Sequence, residues 1–337
     1  MTKARGLADL GNVYNDGALS NRNLIINGAM KVAQRGTSFA GLADGSTKYT
    51  LDRWEYNEAG APSSVFTITQ DTDAPDGFAS SLKWDCTTAD AALASADVII
   101  MNTRIEGQDL QQLNYGSAAA QEATMSFWVK SNKTGTYVVW LYQPDDARSN
   151  QVQYTIDVAD TWEKKTVGIS ADTTGIINND SGSGLLVRFI LGSGTNFTSG
   201  TAPTAWEADT TANRYVGQTV NLADNTANYF NITGVQLEVG DASTPFEHRS
   251  YGQELALCQR YYYSTDTNRR ATAARTDRMQ VQIDFPVTMR AIPSVTETSG
   301  SSFSPESIGI DAVQFEYAGG ISGSERIITA ATADAEL

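Results

Sequence analysis

The chain has a single histidine, His248, and two cysteines, Cys86 and Cys258. Any chemistry that needs two histidines, including zinc sites of the His-x-x-x-His type, is thereby excluded. A Ser–His–Asp triad would have to use His248, and no Gly-x-Ser-x-Gly elbow is present to hold its nucleophile. His248 stands between Glu247 and Arg249 just ahead of a helix start, where it reads as structural. The cysteines lie far apart, without metal-type spacing and without a disulfide framework. Cys258 reads as a small core residue. Glycoside hydrolysis needs two carboxylates about 5 to 10 Å apart across a groove. The pair Glu106 and Asp109, in "RIEGQDLQQL", reads more simply as turn or edge residues. No catalytic residue is assigned.

Two groups of residues could bind rather than react. In "QDTDAPDG", Asp71, Asp73 and Asp76 precede Gly77. One reading is a calcium loop, although it is a residue too long and has Leu82 where a bidentate acid belongs. The other is a Pro-Asp-Gly turn. The second group is the six tryptophans. An indole face stacks on the C–H surface of a sugar ring while neighbouring amides and carboxylates take its hydroxyls. Trp128 and Trp140 fall inside alternating strands and read as core. Trp162 in "ADTWEKKTVG" and Trp206 in "APTAWEAD" lie near turns and are the glycan-contact candidates.

The elements that must position these groups are short strands. "SVFTITQ", "ATMSFWVKS", "GTYVVWLYQ", "GLLVRFILG" and "TGVQLEVG" alternate with period two between Gly, Asn and Asp turns. In the last of them Val235, Leu237 and Val239 are expected inward, and Gln236 and Glu238 outward. Such a rhythm predicts an all-β sandwich. One helix is predicted, because Ser250 and Gln253 match a capping box ahead of Leu255, Leu257 and Cys258 at helical spacing. Beyond it "MQVQIDFPVTMR" and later segments alternate again. The expected division is a tail over 1–22, a sandwich over 23–248, a linker helix over 249–263 and a smaller β domain over 264–337.

A net charge of −15 gives no basic stripe to displace counterions from nucleic acid. The basic run "NRRATAARTDR", 268–278, reads as a solvated loop, a subunit contact or a polyanion site. The absence of a long apolar run gives the expectation of no membrane insertion. The tail, with Arg5, Leu7, Leu10, Val13 and Tyr14 as its contact residues, reads either as disordered in isolation or as an anchor peptide ordered by a partner.

Particular strings carry a resemblance. "NLIINGAMKVAQRGTSF", "YTLDRWEY", "APDGFASSLKWDCTTAD", "ATMSFWVKSNKTGTYVV", "DTWEKKTVGI" and "FNITGVQLEVGDASTPFEHRSYGQELALCQRYY" occur in this order. They resemble modules of structural virion proteins of tailed bacteriophages, the tail fibres among them. The opening Asn23–Gly28, with Trp54 further on, is also similar to that of jelly-roll carbohydrate-binding modules. Ala29 and Met30 depart from it, standing where those modules often carry an acid and an aromatic. The resemblance implies a jelly-roll sandwich, location in the virion, attachment to other virion proteins through the N-terminal tail and a homotrimer with 264–337 as its knob. It also implies host-surface polysaccharide as the external partner and no cofactor beyond a structural calcium. A head fibre, decoration or tail adaptor protein is the alternative, and a polysaccharide depolymerase the third reading.

Overall fold

The computed structural model describes residues 21–337 except 44, 46, 266–268, 274–277, 299–302, 319–325 and 329. For 269–273, 278, 279, 318, 326 and 327 it describes the backbone alone. The expected anchor residues Arg5, Leu7, Leu10, Val13 and Tyr14 lie outside the described residues, as do the side chains of the basic run. Two compact units result. The larger takes the chain up to Lys31, Ser38–Tyr49 and Trp54–Arg249; the second takes Val32–Thr37, Thr50–Arg53 and Ser250–Leu337. Two short segments expected in the sandwich therefore belong to the second unit, and so does the helix expected as a linker.

The larger unit is a jelly-roll sandwich of antiparallel strands. In chain order these are β1 (Ser38–Ala43), β2 (Thr47–Tyr49), β3 (Glu55–Ala59), β4 (Val65–Asp71), β5 (Ser81–Thr88) and β6 (Val98–Glu106). Then come β7 (Ala123–Ser131), β8 (Gly135–Gln143), β9 (Arg148–Ile156), β10 (Glu163–Ile169), β11 (Ser183–Ser193), β12 (Glu207–Ala208) and β13 (Tyr229–Val239). One sheet has six strands in the order β1-β4-β5-β13-β7-β10, the other seven in the order β12-β9-β8-β11-β6-β3-β2. Alternation decides which side chains lie between them. Met125, Phe127 and Val129 of β7 and Tyr137, Val139 and Leu141 of β8 are fully buried. Rings from the two sheets meet there. Phe127 packs edge-on against Phe189 at 5.2 Å, and Tyr56 lies 5.3 Å from Trp84. Each such buried aromatic contributes roughly 1.5–3 kcal/mol of transfer free energy.

The stretch from Asn23 to Gly28 repairs a bulge. Strand β13 shifts register against β7 between Thr233 and Gln236. The Asn23 side chain spans that gap like a missing strand: its Nδ2 donates to the Val235 carbonyl (3.1 Å) and its Oδ1 accepts from Leu237 N (3.1 Å). Asn27, left-handed at φ 57, gives its carbonyl to the buried Trp54 indole N–H at 3.1 Å. Gly28 then passes against β13, with Val235 N donating to its carbonyl at 2.9 Å. The chain already joins the fold at Asn21, whose N–H donates to Glu247 at 2.6 Å. Gln236 and Glu238 point outward as expected, yet they are buried. The segment after β13 covers them: Gln236 Nε2 donates to Glu238 (2.9 Å), and Thr244 N donates to the same carboxylate (2.8 Å).

The second unit opens with helix α1 (Tyr251–Gln259), and its capping box forms as the spacing predicts: the Ser250 hydroxyl accepts from Gln253 N, and Ser250 N donates to Gln253 Oε1. Strands β14 (Tyr262–Thr265), β15 (Arg269–Ala273), β16 (Arg278–Asp284), β17 (Ser294–Glu297), β18 (Ser304–Ile308), β19 (Ala312–Ala318), β20 (Arg326–Ile328) and β21 (Ala331–Asp334) follow. They form a three-stranded sheet, β14-β21-β17, and a five-stranded sheet, β18-β19-β16-β15-β20. Val281, Ile283 and Phe285 alternate inward onto Val313 and Phe315. This unit also buries an ionic cluster. Arg53 pairs with Glu336, and Arg35 reaches Glu336 (3.2 Å), Asp334 (3.3 Å) and Asp52 (3.8 Å). The guanidinium of Arg53 lies 3.5 Å over the Tyr261 ring and that of Arg35 3.6 Å over Tyr262.

Candidate binding face

Residues directly opposite one another on paired antiparallel strands point to the same side of a sheet. On the outer side of the six-stranded sheet this rule places Thr69, Lys83, Asn231 and Lys130 in one row. Thr233, Trp128 and Lys164 form the next. Trp162 precedes β10 beside the first row. Its half-buried indole donates through Nε1 to Asp73 Oδ1 at 2.9 Å, and Lys130 Nζ donates to Asp73 Oδ2 at 2.8 Å. These two donors, Lys130 first, hold the Asp73 carboxyl below the usual aspartate range. Beside them the half-buried Tyr229 donates its hydroxyl to Asp160 at 2.6 Å, and Lys83 Nζ lies 5.5 Å from the Tyr229 ring centre.

The loop carrying Trp162 is held from both sides. Asp157 N and Val158 N donate to the Glu163 carboxylate at 3.0 and 2.8 Å, and Asp160 N donates to the Ser131 carbonyl at 2.9 Å. Farther along, Gly234 at φ +62 leaves room for rings: a Cβ there would lie 2.6 Å from Phe78 Cζ and 3.1 Å from Trp128 Cδ1. Phe78 packs against Phe246 (5.0 Å) and against His248 (5.3 Å). His248 thus ends in an aromatic cluster, its pKa lowered by partial burial and then by Lys31. The result is a partly exposed surface of fixed rings interspersed with ammonium, carboxylate and amide groups.

The opposite outer face, on the seven-stranded sheet, is occupied by the chain itself. Register aligns Gln151, Trp140, Arg188, Asn102 and Glu55 across five strands. Tyr215 and Phe197, from the segment after β11, close over Trp140: Tyr215 meets it edge-on at 6.0 Å, and Phe197 stacks on Tyr215 at 5.3 Å. Only 2% of Trp140 remains exposed.

Two sequence expectations change, those for Trp206 and Trp128. Trp206 is 7% exposed, so it offers no ring to a ligand. Its indole N–H donates to the Ser170 carbonyl (2.8 Å) and its ring meets Tyr115 edge-on (5.7 Å), which makes it a buried strut despite its turn-rich setting. Trp128 lies on the outer face rather than between the sheets, because it alternates with the inward Phe127. Trp140 is buried as expected, but under a loop rather than in the main core. In "QDTDAPDG", with Asp71, Asp73 and Asp76, the chain makes the turn that is one of the two readings: Phe78 N donates to the Pro75 carbonyl at 3.1 Å, the Asp73 oxygens accept from Trp162 and Lys130, and Asp71 Oδ1 accepts from Asp73 N at 3.0 Å. Among the described residues no group of three or more His, Cys, Asp or Glu is placed to hold a metal. Lys83, Lys130, Tyr229, Phe78 and Phe246 were not foreseen; only the alternation of β7, which sets Trp128 and Lys130 on one side, hinted at them. Both cysteines are buried and free, and burial above all raises their thiols, Cys86 to about 11 and Cys258 well above the ordinary value. Neither thiol is therefore a reactive thiolate at neutral pH.

No protein-family model matches the chain, and no curated protein does. Solved structures similar to it include the enzymatically active domain of tailspike protein 4 of bacteriophage CBA120, at 10% identity and a TM-score of 0.35. That match covers 65% of this chain and 21% of the tailspike, so this chain spans about a fifth of its length. A family 4 carbohydrate-binding module matches at 12% identity and TM-score 0.32, covering 63% of this chain and 97% of the module. A family 11 module from Clostridium thermocellum, in complex with a mixed-linked tetrasaccharide, matches at 9% identity and TM-score 0.30, covering 63% and 99%. The jelly-roll assignment rests on the strand order and the ring contacts between the two sheets.

Proposed function

We propose that this protein is a virion appendage of the tail-fibre type. It attaches through its N-terminal tail, assembles as a homotrimer and adheres to host-surface glycan through the outer face of the six-stranded sheet. The observation that carries the glycan reading is Trp162: a half-buried indole whose N–H is bound to Asp73, on a loop held at both ends. A ring fixed in advance loses little entropy when a pyranose stacks on it. Lys130, Lys83, Lys164 and Asp73 around it offer both donors and acceptors to sugar hydroxyls. The phage part of the reading is supported by the resemblance of the sequence strings.

The test is a titration of the purified protein against bacterial surface polysaccharides, read by calorimetry. Trp162→Ala is expected to weaken binding about tenfold, equivalent to about 1.4 kcal/mol. Trp206→Phe, which keeps a buried aromatic ring but loses the N–H and the bulk of the second indole ring away from this face, is expected to leave affinity unchanged. Undiminished affinity in Trp162→Ala would reject this face as the binding surface.

A further inference from the structure

A cleft of about 230 Å³ opens on the sandwich unit between the turn Gly107–Leu113 and the loop before Asn178. One wall is apolar, made by Leu110, Ile176 and Ile177; the rim carries Gln111, Asn114, Tyr115 and Ser117. Among the described residues no charged side chain lines it. Ile176 is 58% exposed, yet its backbone is immobilised. Ile176 N donates to Asp146 (2.9 Å), Asn178 N and Nδ2 both donate to Asp145 (2.9 Å each), and Thr174 N donates to Asp172 (3.0 Å).

The two walls are also tied to each other. Gln111 Nε2 donates to the carbonyls of Gly107 (2.9 Å) and Ile177 (3.2 Å), and Gly116 N donates to the Asp172 carbonyl (2.9 Å). Gly116, at φ +81, permits the close approach, since a Cβ there would lie 2.6 Å from Ile176 Cγ1. An apolar side chain held out toward solvent by so many hydrogen bonds is organised in advance for contact.

We infer that this cleft is a binding subsite for one neutral sugar carrying an N-acetyl group. Its volume is below the roughly 300–1,000 Å³ of pockets for drug-sized ligands and suits a single ring. A charged ligand would lose hydration and find no counter-charge among the lining residues. The exposed Ile176 side chain, backed by the buried Leu110 and Ile177, calls for a methyl group, and the amide and hydroxyl rim calls for hydroxyls and an amide. An acetamido hexose presents both kinds of group on one ring, whereas a plain hexose has no methyl. The subsite stands apart from Trp162 and does not depend on the adhesive face.

Saturation-transfer NMR on the full chain, with N-acetylglucosamine as probe, tests it. Transfer is expected to be strongest at the acetyl methyl, to be lost in Ile176→Ser and in Ser117→Trp, and to persist in Trp162→Ala. Both cleft residues are exposed, and thermal melting checks that each variant is folded. Absence of acetyl-methyl transfer at tens of millimolar sugar, transfer unchanged by both cleft variants, equal transfer to glucose, or loss in Trp162→Ala would each overturn the assignment. Only the first of these means that the sugar is not bound; the other three leave sugar binding in place, elsewhere or without preference for the acetyl group, so failure of the subsite and failure of the adhesive face are read separately.

Discussion

Gly28→Ala is the sharpest test of how the sandwich is closed. A Cβ on Gly28 would stand well inside 3.0 Å of the Val235 carbonyl oxygen and 3.1 Å from its carbonyl carbon. Both are backbone atoms, and neither side can swing away as a flexible side chain would. Relief requires parting this segment from β13, which loses the Val235 N to Gly28 carbonyl bond and strains the Asn23 bond to Val235. Overpacking of this kind costs about 1–3 kcal/mol, and each buried polar group left without its partner adds about 1–3 kcal/mol. The expected loss is therefore about 3–5 kcal/mol, or about 10 °C in melting temperature for a unit of this size. Gly168→Ala is the matched control: it is the same change, on the outer side of β10, where an added Cβ meets nothing within 4 Å. It should be neutral or stabilise by up to about 1 kcal/mol, by reducing the freedom of the unfolded chain. Urea unfolding followed by tryptophan emission measures both. A loss below about 1 kcal/mol at Gly28, or comparable losses at the two glycines, would refute the close-approach reasoning.

The Asp73 contact makes a pH prediction. Its carboxyl is held below the ordinary value of 3.8, first by Lys130 and then by Trp162. A depressed folded-state pKa gives stabilisation that is present above the unfolded value and lost as pH falls through the folded one. The Trp162 indole N–H resonance should therefore hold still from neutral pH down to about 4 and move only below it; movement that is complete at higher pH would contradict the pairing. In the second unit, Glu336→Gln removes one of the carboxylates facing Arg35 and Arg53. Breaking a buried ion pair from one side costs about 3–5 kcal/mol, so calorimetry should show a loss near about 3 kcal/mol; a change under about 1 kcal/mol would mean the cluster is energetically idle.

Much of the fold is legible in the sequence because burial follows alternation. "ATMSFWVKS" and "GTYVVWLYQ" become β7 and β8, and the Ser250–Gln253 capping box starts α1. What the alternation cannot carry is the path of the covering segments. Gln236 and Glu238 are on the outer side as their period demands, yet residues after β13 bury them. The assignment of Val32–Thr37 and Thr50–Arg53 to the second unit depends on Arg35, Asp52 and Arg53 meeting Glu336 and its neighbours about 300 residues later in the chain, a pairing with no local signature. The candidate face is half legible: Trp162 stands out for its turn, whereas Asp73 lies in a stretch that reads as a calcium loop or a Pro-Asp-Gly turn, with no local sign that it accepts from the indole.

The same difficulty explains why Trp206, near a turn, is buried while Trp162 is not. A turn-rich neighbourhood raises the odds that a ring is exposed, but the outcome depends on whether its N–H finds a backbone carbonyl or a surface carboxylate. Trp206 finds the Ser170 carbonyl and is drawn under Tyr115, while Trp162 finds Asp73, whose other oxygen is taken by Lys130 at the surface. An indole bound to a backbone carbonyl gains most by burying its face as well, since nothing about that acceptor requires water. An indole bound to a carboxylate is kept near solvent, because dragging the ion inward would cost more than the ring gains. The partner of the N–H, more than the local turn propensity, therefore sorts struts from platforms. By that criterion Trp162 has its face available, and Trp140, closed over by Tyr215 and Phe197, does not.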